Sequence, residues 1–92
     1  MIKKVVISKW AGKNIERLPT HVSDNLFVWI RSVEAKGLEE VRKSPGYHDE
    51  PCKGALQGLR SIRLNRGFRA YYRIELGVVQ FVFIERVDKH AY

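Results

Sequence analysis

Two short segments in the second half of the chain contain residue types suited to acid–base chemistry on a phosphate. Glu50, within Asp49-Glu50-Pro51-Cys52-Lys53, is a potential general base. His90, within the terminal Asp88-Lys89-His90-Ala91-Tyr92, is able to give or take a proton near neutral pH. Between Pro51 and Ile74 lie six cations and no acidic residue; the cations are Lys53, Arg60, Arg63, Arg66, Arg69 and Arg73.

Arginine dominates this basic stretch, and Tyr71 lies among the arginines. The planar guanidinium group suits phosphate oxygens and stacks on bases. Charge for the backbone and aromatic faces for the bases are what single-stranded RNA requires. The alternative is a solvated outer sheet face without a ligand, because such faces of antiparallel sheets are often charged. The lack of neighbouring carboxylates favours the RNA interpretation, since structural arginines are usually paired.

Hydrophobic periodicity predicts how these residues are positioned. Residues 2–8 are rich in β-branched side chains and predict a strand, and three further strands are predicted at 60–65, 68–76 and 78–87. Apolar residues at helical spacing predict one helix from Trp10 to Pro19 and a second from Thr20 to Gly37, with Trp10 and Trp29 facing the core. The fold expected is α+β, β-α-α-β-β-β, with a small antiparallel-rich sheet and both helices packed on one face.

Strand alternation separates the two faces of this sheet. Phe68, Ala70, Tyr72, Ile74 and Leu76 are predicted to face the helices. The opposite face, which we call the arginine face, is predicted to carry Ser61, Arg63, Arg69, Tyr71 and Arg73. The last strand sets where the C-terminal tail begins, so we expect it to deliver His90 and Tyr92 to the arginine face.

Composition limits the classes of protein. The 92 residues predict one domain, 1–92, and the net charge of +7 favours polyanionic partners such as nucleic acid or an acidic protein. Cys52 is the single cysteine, which excludes an internal disulfide and a cysteine-based zinc site. We expect no cofactor, no metal and no membrane association, since the chain lacks a long apolar segment and a basic amphipathic helix. A cytoplasmic location is expected, because the N-terminus does not resemble a secretory signal.

Four segments in this order resemble the RelE/YoeB/HigB-type toxins of bacterial type II toxin–antitoxin pairs. The segments are Gly46–Gly54, Arg60–Leu64, Phe68–Ile74 and Val87–Tyr92, and the resemblance extends over nearly the whole chain. It implies a RelE/ParE-like microbial RNase fold and a metal-independent, ribosome-dependent endonuclease. Such a protein cuts messenger RNA in the ribosomal decoding site and thereby inhibits translation. The resemblance also implies a cognate antitoxin with an acidic or amphipathic segment, and no DNA binding by this chain alone.

The same resemblance assigns roles to individual residues. Glu50 matches the carboxylate before Pro-x-Lys that acts as general base, and Arg69 matches the arginine that neutralises the scissile phosphate. His90 and Tyr92 match a C-terminal pair, with His90 as general acid; here Ala91 separates two residues that YoeB has adjacent. Ser61 and Arg63 stand where RelE uses lysines, which favours a Glu50/His90 mechanism. The RNA-binding residues expected are Lys53, Arg60, Arg63, Arg66, Tyr71 and Arg73.

Two other functions are compatible with the same fold. A ParE-like toxin is a non-enzymatic poison that binds DNA gyrase and lacks the acid–base set. An RNA-binding module would keep the basic face and tolerate the loss of Glu50 or His90. The combination of Glu50, Arg69 and His90 favours the nuclease.

Overall fold

The computed structural model describes residues 1–76 and 81–89, and it confirms the predicted α+β fold. The strands are β1 (Lys4–Ile7), β2 (Glu50–Pro51), β3 (Arg60–Arg63), β4 (Phe68–Glu75) and β5 (Phe81–Lys89). The helices are α1 (Lys9–Glu16), α2 (Thr20–Lys36) and the single turn α3 (Leu38–Val41), and 3-10 turns lie at Pro45–Tyr47 and Gly54–Leu56. The short strand β2 is the element that periodicity did not predict.

The strands form one five-stranded sheet in the order β1-β5-β4-β3-β2. β5 runs parallel to β1 and antiparallel to β4, while β3 is antiparallel to both β4 and β2. The C-terminal strand is therefore inserted between the first strand and β4. β4 is the central strand of the five.

Helix α2 supplies the helical side of the core. Its apolar stripe Val22, Leu26, Trp29, Ile30 and Val33 is buried, as predicted from the spacing. The stripe packs with buried residues of the sheet, which are Ile62, Ala70, Tyr72 and Val87. The rings of Trp29 and Tyr72 lie 5.4 Å apart between centroids, at 45° to each other. This aromatic contact fixes the centre of β4 against the helix layer.

Three apolar residues predicted to face the core are exposed instead. Trp10 is 66% exposed, because Ala11 is the residue of α1 that turns fully into the core and Trp10 lies one position away on the helix. Leu76 is 74% exposed and Ile74 is 36% exposed. Both lie beyond Tyr72, the last residue of β4 that pairs with β3. Strand β3 therefore does not flank this end of β4.

The hairpin between β3 and β4 is held by the side chain of Asn65. Its Oδ1 accepts hydrogen bonds from the backbone N–H of Gly67, at 2.8 Å, and of Phe68, at 3.0 Å. From α2, the Asn25 amide donates to the carbonyl of Leu64 at 2.8 Å. The hairpin that carries Arg66 is therefore fixed both internally and to the helix layer.

Replacing Asn65 tests how far its two hydrogen bonds stabilise the protein. We expect Asn65→Ala to lower the free energy of unfolding by about 1–2 kcal/mol, because two backbone donors lose their partner. Asn65→Asp keeps an acceptor oxygen and should lose less. Urea unfolding followed by circular dichroism measures both variants. An unfolding midpoint for Asn65→Ala equal to that of the parent would contradict this account of the turn.

Candidate nucleic-acid interface

The register of the sheet brings Glu50 onto the same face as the arginines. Glu50 of β2 is opposite Ser61 of β3, and Ser61 is opposite Tyr71 of β4. Directly paired residues project to the same side of a sheet, and so do residues two positions apart on one strand. Arg69 therefore shares this face with Glu50. At the usual strand spacing, the Cα atoms of Glu50 and Tyr71 are about 10 Å apart, and Arg69 is about 7 Å further along β4.

Arg69 is oriented by a buried hydroxyl group. Its Nη1 donates a hydrogen bond to Ser61 Oγ at 3.2 Å, and Ser61 is only 5% exposed. Arg69 itself is half-buried, so one side of its guanidinium group is held by the protein. Strand alternation predicted Ser61 on this face, but the sequence did not indicate a function for it. The structure gives it one, as the residue that positions Arg69.

Arg63 and Arg69 form a pair of like charges across β3 and β4. Like charges directly opposite each other destabilise a sheet. Among the side chains that the structure describes, neither guanidinium has a carboxylate within ion-pair distance. On its other side Arg69 is in register with Asp88 of β5. An anion that approaches this face between the two arginines relieves their repulsion, which is the electrostatic requirement for a phosphate site.

Arg73 lies on the same face but in a different environment. Its Nε forms an ion pair with Glu75, two residues further along β4. At the usual rise, Arg73 is about 13 Å from Arg69 along the strand. Arg73 therefore differs from Arg69 in having a carboxylate partner, and its assignment to RNA binding stays a prediction.

Lys53 and Arg66 lie outside the strands that form this face. Lys53 is exposed and follows β2, directly before the 3-10 turn at Gly54–Leu56. Arg66 is exposed in the β3–β4 hairpin. Both positions are compatible with contacts to the backbone of an RNA that extends beyond the strands β2, β3 and β4.

Two predicted RNA-binding residues have other environments. Tyr71 is 8% exposed, because β3 and β5 flank it on both sides, so its ring does not present the open stacking face that was expected. Arg60 is opposite Tyr72, which is fully buried on the helix side of the sheet. Its guanidinium is bound to Asp49 rather than directed to the arginine face. The surroundings of Tyr71 and Arg60 thus differ from those expected, and their assignment to RNA binding stays a prediction.

Asp49, the residue before Glu50, is the centre of a buried polar network. Its side chain is 1% exposed, and its Oδ1 accepts from Arg60 Nε at 2.7 Å. Its Oδ2 accepts from the Tyr72 hydroxyl at 2.6 Å. Burial and the hydrogen bond to Asp49 raise the pKa of Tyr72 well above its usual value. Although burial opposes its charge, the hydrogen bond and the charge of Asp49 raise the pKa of Arg60.

The C-terminal candidates follow the last described strand. β5 ends at Lys89, which is in register with Phe68, the neighbour of Arg69. His90 and Tyr92 lie outside the described residues. Their approach to the arginine face stays a prediction from the sequence. The register shows only that the last described residue, Lys89, lies opposite the neighbour of Arg69.

The described residues form neither a candidate metal site nor a membrane-spanning helix. In residues 1–76 and 81–89, no group of three His, Cys, Asp or Glu side chains is arranged to hold a metal ion. No helix in the same part of the chain has the length and apolar character needed to cross a bilayer. Cys52 is half-buried and free.

Comparison with solved structures gives matches over essentially the whole chain. The toxin–antitoxin complex RelBE2 from Mycobacterium tuberculosis has a TM-score of 0.69 at 21% identity, covering 98% of this chain and 100% of the matched chain. A YoeB/ParE toxin from Agrobacterium tumefaciens has a TM-score of 0.69 at 20% identity, covering 96% and 99%. YafQ from E. coli has a TM-score of 0.73 at 14% identity, covering 96% and 93%.

The chain has the fold of RelE-, YoeB- and YafQ-type toxins. No protein-family model matches the sequence, and no curated protein sequence matches it significantly. At these levels of identity the likeness is in the fold. The shared fold does not assign roles to individual residues of this chain, which depend on the geometry of its own site.

Proposed function

We propose that the protein is the toxin of a type II toxin–antitoxin pair and inhibits translation by cutting messenger RNA on the ribosome. The observation that carries the proposal is the common face of Glu50, Ser61 and Arg69, set by the β2–β3–β4 register. It combines an exposed carboxylate with an oriented guanidinium and the like-charge pair of Arg63 and Arg69. The RelE-like fold supports the same function, because its solved neighbours are named as toxins of such pairs.

The chemistry is attack of a ribose 2′-hydroxyl on its own 3′-phosphate. Glu50 accepts the 2′-hydroxyl proton, the new P–O bond closes a 2′,3′-cyclic phosphate, and the bond to the downstream 5′-oxygen breaks. His90 donates the proton that the leaving oxygen takes up. Arg69 stabilises the additional negative charge of the transition state. We assign Tyr92 to base stacking or phosphate orientation next to His90.

The proposed partners are the ribosome and a cognate antitoxin. The ribosome aligns the messenger in the decoding site, and alignment of this kind contributes several kcal/mol to catalysis. The antitoxin covers the Arg63–Arg69 pair with an acidic or amphipathic segment and so prevents RNA from binding. The solved neighbours of this chain include complexes of a toxin with its antitoxin. The proposed location of this activity is the bacterial cytoplasm.

Primer extension on a translated message tests the proposal directly. We expect cuts when the parent protein and ribosomes are both present, and a large decrease when ribosomes are left out. A double variant, Glu50→Gln with His90→Ala, is the matched control and should give no cuts. If expression arrests growth while the message stays intact, and purified protein inhibits DNA gyrase, the ParE-like function replaces this one.

A further inference from the structure

The segment that carries Glu50 has few backbone restraints of its own. Strand β2 has only the residues Glu50 and Pro51, and a proline has no N–H to donate to a strand ladder. His48 enters the segment in the left-handed region, with φ of 47°, which is unfavourable for a residue other than glycine. After β2, the backbone N–H of Cys52 donates to the Leu59 carbonyl at 2.9 Å. A further restraint is needed on the N-terminal side of Glu50.

Asp49 supplies that restraint through contacts to two different strands. Its two carboxylate oxygens accept hydrogen bonds from Arg60 on β3 and from Tyr72 on β4. Arg60 Nη2 also donates to the backbone carbonyl of Asp49, at 3.3 Å. Tyr72 is fully buried and packs on Trp29, so the network is connected to the rigid centre of the core.

We propose that Asp49 is a positioning residue, whose buried carboxylate fixes β2 so that Glu50 lies in the Ser61–Tyr71 row beside Arg69. The inference rests on the proposed function, in which Glu50 is the general base. Asp49 lies on the helix side of the sheet with Arg60 and Tyr72 and does not face the RNA. It acts on the reaction through the position of Glu50 alone.

Both acceptor oxygens of the Asp49 carboxylate are required for this role. An asparagine at position 49 has nearly the same shape but only one acceptor oxygen, so it cannot accept from both Arg60 and Tyr72. With its oxygen on Arg60, its amide can only donate to the Tyr72 oxygen, and the charge that pairs with Arg60 is lost. Tyr72→Phe removes one of the two hydrogen bonds and keeps the ring that packs on Trp29. Asp49→Asn should therefore have the larger effect, and Tyr72→Phe the smaller effect of the same kind.

A double-mutant cycle distinguishes positioning of Glu50 from a general effect on the fold. Steady-state kinetics of ribosome-dependent cleavage is measured for Asp49→Asn in the parent and in a Glu50→Ala background. In the parent we expect kcat to fall about 10- to 100-fold, with KM within about twofold, because a small displacement of a reacting group has effects of this size. In the Glu50→Ala background the same change should alter the rate less than about twofold. Glu40→Gln, which removes an exposed carboxylate paired with Lys43, is the matched control and should leave cleavage unchanged.

Amide hydrogen exchange gives a second measurement that does not depend on activity. Asp49→Asn should accelerate exchange of the Cys52 N–H about tenfold, while the Leu26 N–H within α2 is unchanged, because local opening raises exchange in the released segment alone. Tyr72→Phe is measured in the same way and replaces Asp49→Asn if that variant does not fold.

The outcomes separate this inference from the proposed function. An equal loss of cleavage in the parent and the Glu50→Ala backgrounds would overturn it, and so would unchanged exchange at Cys52. A parent protein that does not cleave RNA contradicts the proposed function. In that case, faster exchange at Cys52 still supports the role of Asp49 in fixing β2.

Discussion

Replacing Arg69 with alanine should lower ribosome-dependent cleavage at least about 100-fold, the size of effect seen when a donor to a developing oxyanion is removed. Arg69 is the arginine that a buried hydroxyl orients, through the 3.2 Å hydrogen bond to Ser61 Oγ. Unlike the other cations of the face, it lies next to the point where β5 ends. RNA binding should weaken as well, and the dependence of log K on log salt should become shallower by about 0.7 for a single strand.

Arg73→Ala is the matched control for this experiment. It removes the same side chain from the same face of the same strand, but Arg73 is ion-paired with Glu75. We expect less than about a tenfold loss of cleavage and a smaller decrease in salt dependence, because Glu75 already pairs with Arg73. Rates from a fixed amount of ribosome-bound message and affinities from filter binding at several salt concentrations measure both variants. Equal losses of cleavage in the two variants would show that the face acts by charge alone.

The common face of Glu50 and Arg69 could be predicted in part because strand alternation is a local property. The positions of Ser61, Arg63 and Arg69 relative to each other follow from counting residues along two strands. The inclusion of Glu50 in this face was not predictable in the same way. It depends on the two-residue strand β2, which is too short to leave a periodic pattern in the sequence.

The surroundings that differ from expectation have a shared physical cause, which is that burial depends on distant neighbours. Tyr71 and Arg73 have the same parity on β4, but β3 covers Tyr71 on one side and ends before Arg73. Arg60 was predicted to bind RNA because no acidic residue is near it in the stretch that follows Pro51. Its partner, Asp49, lies eleven residues earlier in a loop. Pairings over such distances are set by the assembled sheet and not by local spacing.

The parallel pairing of β1 with β5 is the clearest long-range feature. Val5 is in register with Val82 and Val6 with Phe83, although almost the whole chain separates them. The hydrophobic pattern predicted both strands and gave no information about their adjacency. The antiparallel pairing of β5 with β4, and not its pairing with β1, places Lys89 opposite Phe68 and so sets where the segment with His90 begins.

Removing the two proposed proton carriers should have the largest effects on the rate of the chemical step. Glu50→Gln and His90→Ala are each expected to lower cleavage by about 10²–10⁴-fold, the range measured for positioned general acids and bases. Binding of RNA should change little, because the cations of the face are intact. Glutamine keeps the size of Glu50 but cannot accept the 2′-hydroxyl proton, so the loss reports proton transfer and not packing.

The pH dependence of cleavage separates the two roles. For a base that acts as carboxylate and an acid that acts as imidazolium, kcat/KM follows a bell-shaped profile. Glu50→Gln should remove the acidic limb and His90→Ala the alkaline limb. The double variant should lower the cleavage rate by less than the product of the two single fold-losses, because the effects of residues that act as a unit are not additive. Glu34→Gln, which removes an exposed carboxylate on α2, controls for the loss of one charge. A His90→Ala protein that keeps the alkaline limb and the parent rate would assign the leaving-group proton to another residue.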